Sequence, residues 1–282
     1  MMKKTAILLS LILTLSLLAA CGSGPSSSGG DNAKQEERKT LKFGATAGPY
    51  SDMLTKAIKP IMEKKGYTIE IVEFGDYVQP NLALSNGDLA ANLFQHKIYM
   101  DNFAKENKLE LTDLIVVPTA PMGIYSSKYK ALGEIADGST VALANDPTNL
   151  ARSLGLLQDA GLLTMKDDID PLRVSEKDVK DNPKQLVLQP IEAGQLPRAV
   201  DSADISLVPG NFALAAKMNL LDALQLENMP DDYRNRVVIN TADKDKAFAK
   251  DLKEAVESPE FEQIIDEQFQ GFGKPEWMLN RK

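Results

Sequence analysis

Short apolar runs bounded by turn residues alternate with amphipathic helical patterns along most of this chain, and that alternation restricts the fold more than any other feature. "LKFGA" (41–45), "TIEIVEF" (68–74), "LAANLF" (89–94), "LIVVP" (114–118), "TVALA" (140–144) and "ISLVP" (205–209) read as strands. Helical periodicity falls around 50–65, 78–85, 97–107, 147–160, 192–200, 211–218, 243–257 and 259–269. Pro80, Pro147 and Pro259 sit near helix starts, where a missing N–H costs nothing, and Gly66, Gly87 and Gly161 mark stops. Strand and helix in alternation predict the α/β class with mainly parallel sheets. Two stretches break the pattern: "PTAPMGIYSSKY" (118–129), and "MPDDYRNRVVIN" (229–240), a turn followed by a lone strand. Both suit crossovers between two lobes. The reading is lobe 1 over 41–122 plus 236–282 and lobe 2 over 123–235, with a ligand cleft beyond the carboxyl ends of the strands.

The first residues stand outside this pattern. "MMKK" followed by "TAILLSLILTLSLLAA" has the charge-then-hydrophobe order of a secretory leader, and the run is short for a membrane span, which needs about 20 apolar residues. "LAAC" (18–21) resembles the lipobox of bacterial lipoproteins, which makes 1–20 a removed signal peptide and Cys21 a lipidated N-terminus. The Gly-, Ser- and charge-rich segment that follows reads as a flexible tether over 21–40. Cys21 is the only cysteine, so neither a disulfide framework nor a cysteine metal site is available. The formal charge is −8 and becomes more negative when Lys3 and Lys4 leave with the signal, which repels nucleic acid.

Three constellations carry candidate chemistry. In "NDPTNLARSLGLLQDAG" (145–161), Asp146 before Pro147 is an N-cap arrangement, and Leu150, Leu154 and Leu157 form one apolar stripe. Asn149 and Arg152 share a different face; with the helix N-terminus they suit a carboxylate, although an arginine off an apolar stripe is usually solvated. The second constellation is aromatic. Phe74, Tyr77, Phe94, Tyr99 and Phe103 cluster, although the whole chain has only 9 Phe, 7 Tyr and 1 Trp, and His96, the single histidine, sits among them. Phe74, Phe94 and Phe103 are each compatible with plain core, while Tyr77, His96 and Tyr99 are polar-tipped groups where strands end. The third is Asn211 in "LVPGNFALAAKM" (207–218), at a helix cap position, with Asn235 at the second crossover. A single histidine gives no zinc cluster, and neither a glycine-rich phosphate loop nor a G-x-S-x-G elbow is present. Neither a cofactor nor a metal is expected.

"DYVQPNLALSNGDLAANLFQHKIYMD", "NDPTNLARSLGLLQDAGL" and "IEAGQLPRAVDSADISLVPGNFA", behind a lipobox, closely resemble the methionine-binding lipoproteins of ABC importers, the NlpA family, from about Leu41 to the C-terminus. The resemblance implies a two-lobed periplasmic-binding-protein-like fold, not an enzyme, that captures methionine and delivers it to a membrane permease and its ATPase. It further implies a monomer anchored by lipid to the extracytoplasmic side of the cell membrane. Carried over by position, Tyr77, Phe94, His96 and Tyr99 resemble the aromatic wall around the ligand side chain. Asn149 and Arg152 resemble the carboxylate clamp, and Asn211 and Asn235 the remaining polar contacts. Four aromatic groups suit a polarizable thioether, since sulfur–aromatic contact adds roughly 0.3–1.5 kcal/mol. They also admit other unbranched apolar side chains, so a methionine-containing dipeptide or another apolar amino acid is the alternative ligand. The charged "DDYRN" (231–235) departs from the family pattern and makes Asn235 the least secure contact.

Overall fold

A computed structural model describes residues 39–281, apart from 168 and 171–173. The leader, Cys21 and the tether up to residue 38 lie outside the described residues. The first strand, β1 (Lys39–Thr46), begins two residues earlier than expected, because Lys39 and Thr40 already pair with Tyr67 and Thr68.

The remaining strands are β2 (Tyr67–Phe74), β3 (Ala91–His96), β4 (Leu111–Val116), β5 (Gly123–Tyr125), β6 (Thr140–Ala144), β7 (Thr164–Met165), β8 (Val179–Asp181), β9 (Val187–Ile191), β10 (Ile205–Val208), β11 (Gln225–Leu226) and β12 (Asn235–Asn240). They form two five-stranded sheets, ordered β2-β1-β3-β12-β4 and β11-β5-β10-β6-β9, and a small ribbon of β7 and β8. The fold is α/β and two-lobed, of the periplasmic-binding-protein type.

The expectation of mainly parallel sheets needs correction. β1 runs parallel to β2 and β3, and β6 parallel to β9 and β10, but β12 is antiparallel to both β3 and β4, and β5 to both β10 and β11. The antiparallel strands lie within the stretches read as crossovers: β5 falls in 118–129 and β12 in 229–240, so each enters its sheet against the direction set by the strand–helix–strand units. β12, read from sequence as a lone strand, lies inside the first sheet and begins at Asn235, one residue before the expected lobe boundary.

Each sheet has its own core. Phe43, Leu93 and Val237 pack with Met53 and Ile58 and with Phe248, Leu252, Phe261 and Ile265 of the C-terminal helices, which return the end of the chain to the first sheet. The leucine stripe Leu150, Leu154 and Leu157 packs with Ile124, Val141, Leu143, Ile205 and Leu207 on the second. Because helices follow the carboxyl ends of β1, β2, β3, β6 and β10, their first turns converge on one region. No helix among the described residues is long and apolar enough to cross a membrane.

Candidate functional site

All eight residues nominated from sequence, Tyr77, Phe94, His96, Tyr99, Asn149, Arg152, Asn211 and Asn235, line one cavity of about 320 Å³. Tyr77, Phe94, His96, Tyr99 and Asn235 come from elements of the first sheet and its helices; Asn149, Arg152 and Asn211 come from helices of the second.

The aromatic side is built at the ends of β2 and β3. Tyr77 stacks on Phe94 with ring centroids 5.8 Å apart and meets Tyr99 edge-on at 5.7 Å. The Tyr99 hydroxyl donates to the Tyr77 carbonyl at 3.0 Å, fixing the loop that carries Tyr77. Phe212 of the other lobe lies 5.0 Å from Tyr77. Rings at these separations gain from quadrupole contact as well as burial. Burial pushes the Tyr77 and Tyr99 phenols well up, so both stay protonated donors.

His96 ends β3 and caps the helix Lys97–Asn107. Its Nδ1 accepts from the Tyr99 backbone N–H at 3.1 Å, which leaves the proton on Nε2, 3.2 Å from Asn149 Oδ1 across the cleft. Burial, reinforced by the nearby Arg152 charge, lowers its pKa to about 3, so the ring is a neutral donor.

The polar end comes from the helix Pro147–Asp159. Asp146 caps it as expected, accepting from the Asn149 N–H at 3.0 Å and from Thr148 Oγ1 at 3.0 Å. Asp146 also accepts both contacts of Asn149 Nδ2, at 3.1 and 3.2 Å, which turns Asn149 Oδ1 toward His96. The anion at this helix start is therefore supplied by the chain itself, and the Asn149 N–H is not offered to a ligand. Arg152 is buried and pairs with Glu227 through Nε at 2.7 Å and through Nη2, with both side chains 7% exposed. Among the described residues its third nitrogen, Nη1, has no hydrogen-bond acceptor. The guanidinium carbon lies 5.5 Å from the Tyr233 ring centroid.

Asn211 is not a helix cap: Pro209 holds that position for the helix Gly210–Ala215, and the Asn211 Oδ1 instead accepts from the Tyr77 hydroxyl at 2.9 Å across the cleft. Asn235 donates from Nδ2 to the Phe94 carbonyl at 2.8 Å, and its N–H donates to Thr119 Oγ1 at 2.8 Å. It is a strand residue, with its side chain braced against the neighbouring strand.

Sequence reasoning missed Tyr50, Gln95 and Thr119, which also line the cavity, and Glu227 behind Arg152. Tyr50 had a signal, since it follows "AGP" at the end of β1 as Tyr77 follows the end of β2. Glu227 had none among 40 acidic residues.

A family model described as NlpA lipoprotein matches residues 41–277. The chain belongs to the NlpA lipoprotein family. Among curated proteins, this family member is 38% identical over 246 residues to the D-methionine-binding lipoprotein MetQ of Salmonella typhi, covering 86% of this chain and 90% of that one. It is 37% identical over 278 residues to the protein of the same name from Yersinia pestis, covering 98% of each. Among solved structures, the NlpA-family fold here is similar to a nutrient binding protein from Burkholderia cenocepacia bound to methionine, with 37% identity and a TM-score of 0.78, covering 82% of this chain and 97% of that one.

Proposed function

We propose that this chain is an extracytoplasmic substrate-binding lipoprotein that captures methionine in the cavity between its lobes and delivers it to an ABC importer. The observation that carries this reading is the pairing of an aromatic wall from one lobe with an arginine–asparagine end from the other around a single small cavity. The wall suits a thioether. Arg152 Nη1 suits the α-carboxylate, as a charge-assisted contact. Relatives that carry methionine in their names, and a similar structure bound to methionine, support the same ligand.

The proposed lobes are 41–122 plus 236–282 and 123–235, and the eight nominated residues are the proposed contacts. The role is carriage rather than catalysis, and the hydrogen bonds of His96 on both ring nitrogens support a positioned donor. Cys21 is the proposed lipid anchor, and the permease and ATPase of the importer the proposed partners of a monomer. Calorimetry on protein refolded from denaturant, to strip bound ligand, tests the reading with L-methionine, D-methionine and Gly-Met. Saturable one-to-one binding of free methionine is expected. Binding of the dipeptide alone would install the alternative, and binding of none would remove both. Detergent phase separation tests the anchor: wild type belongs in the detergent phase and Cys21→Ala should not show the lipid-modified mass.

A further inference from the structure

Arg152 is the one charged residue among those lining the cavity, and it does not face the cavity as a free cation. Glu227 holds it from behind through Nε and Nη2. The same carboxylate accepts the Met122 backbone N–H at 2.6 Å. Met122 directly precedes β5 and Glu227 directly follows β11, so the carboxylate is carried at the end of one strand and fixed by backbone at the start of its neighbour. A second carboxylate, Asp146, stands at the start of the same helix as Arg152, and His96 across the cleft is neutral with its proton on Nε2. Arg236, whose charge also reaches His96, is engaged by Asp113 and Asp231, both at 3.3 Å. The charges around the cavity thus sum to no positive excess.

We propose that Glu227 is a specificity-determining positioning residue: it presents one nitrogen of Arg152 to the cavity and cancels that side chain's charge, so a carboxylate ligand binds well only when it brings its own cation. The site then selects an α-amino acid zwitterion over a simple carboxylic acid with the same side chain. The physical reason is that a ligand carboxylate on Nη1 would make Glu227 and the ligand two anions on one guanidinium, in surroundings of reduced dielectric where like charges repel strongly. An α-ammonium on the adjacent carbon offsets that repulsion. Without Glu227 the guanidinium would offer a full positive charge, and the requirement for the ammonium would weaken.

This inference rests on the methionine-binding reading and is tested apart from it. Calorimetry on the full chain compares methionine with 4-methylthiobutanoate, which keeps the side chain and carboxylate and lacks the ammonium. Wild type should bind methionine and bind the deaminated acid at least tenfold more weakly. In Glu227→Gln the ratio of the two dissociation constants should shrink by roughly tenfold or more, well within what one charge–charge contact supplies at an effective dielectric of about 20. A purely structural role for Glu227 would weaken both ligands together and leave the ratio unchanged, and that result would overturn the proposal. Wild-type affinities for the two compounds within threefold of each other would overturn it as well, even if Glu227→Gln fails to fold. Failure of methionine itself to bind would instead strike the functional reading.

Discussion

A neutral imidazole buried at His96 makes stability depend on pH. Its folded pKa is about 3 against an ordinary 6.5, so below 6.5 the unfolded chain takes up a proton that the folded chain refuses. The contribution is fully present above 6.5 and is lost as pH falls toward 3. From pH 7 to pH 5 this costs about 2 kcal/mol. Thermal melts at the two values should show a larger drop for wild type than for His96→Gln; equal drops would mean that the imidazole is charged in the fold. Arg152 and Glu227 set a second residue-scale expectation. Arg152→Met leaves a buried carboxylate unpaired and should cost about 3–5 kcal/mol in a urea titration. Arg152→Met combined with Glu227→Gln should recover most of that loss while methionine binding stays abolished. A double variant as unstable as the single one would show that the pair matters through packing, not charge.

Two glycines in second-lobe helices differ in sign. A Cβ on Gly210 would lie 2.5 Å from the Pro121 carbonyl oxygen, so the helix Gly210–Ala215 is seated against the first crossover only because the side chain is absent. Gly210→Ala should destabilise by about 1–3 kcal/mol, as overpacking does. At Gly155, inside the helix Pro147–Asp159, an added methyl group would meet no neighbour among the described residues within 4 Å. Gly155→Ala should therefore stabilise by roughly 0.5–1 kcal/mol through helix propensity alone. Denaturant midpoints for the pair check both, and a shift of the same sign in both would refute the seating of Gly210 against the crossover.

At the scale of the whole molecule, contacts such as His96 to Asn149 and Tyr77 to Asn211 join elements of the two sheets through the cavity wall. A ligand touching both sides adds to these contacts. It shifts closure only by its differential affinity for the closed form. At 100 times the dissociation constant, methionine should stabilise the fold by about 2.7 kcal/mol, read as a raised melting temperature. Small-angle scattering on refolded protein should show the radius of gyration fall on saturation. A constant radius alongside calorimetric saturation would place all the binding contacts on a lobe pair that is already closed.

Period and punctuation determined the elements. Alternation marked β1, β2, β3, β6 and β10, and proline and glycine marked the helix ends, because these signals are local and depend on one segment at a time. That these positions line one cavity was legible for a related reason: in an α/β chain, strand ends followed by helix starts lie on one side of the sheet, so Tyr77, His96, Asn149, Arg152 and Asn211 were candidates by position, and the family resemblance chose among the readings each allowed. What pairs with what was decided only by tertiary structure. β12 gave no sign that it would enter the first sheet antiparallel between β3 and β4, since strand direction is set by where the crossover delivers it. Nor did the sequence reveal that Arg152 would be held by Glu227, 75 residues away, because a buried ion pair is chosen by proximity after folding and leaves no periodicity behind.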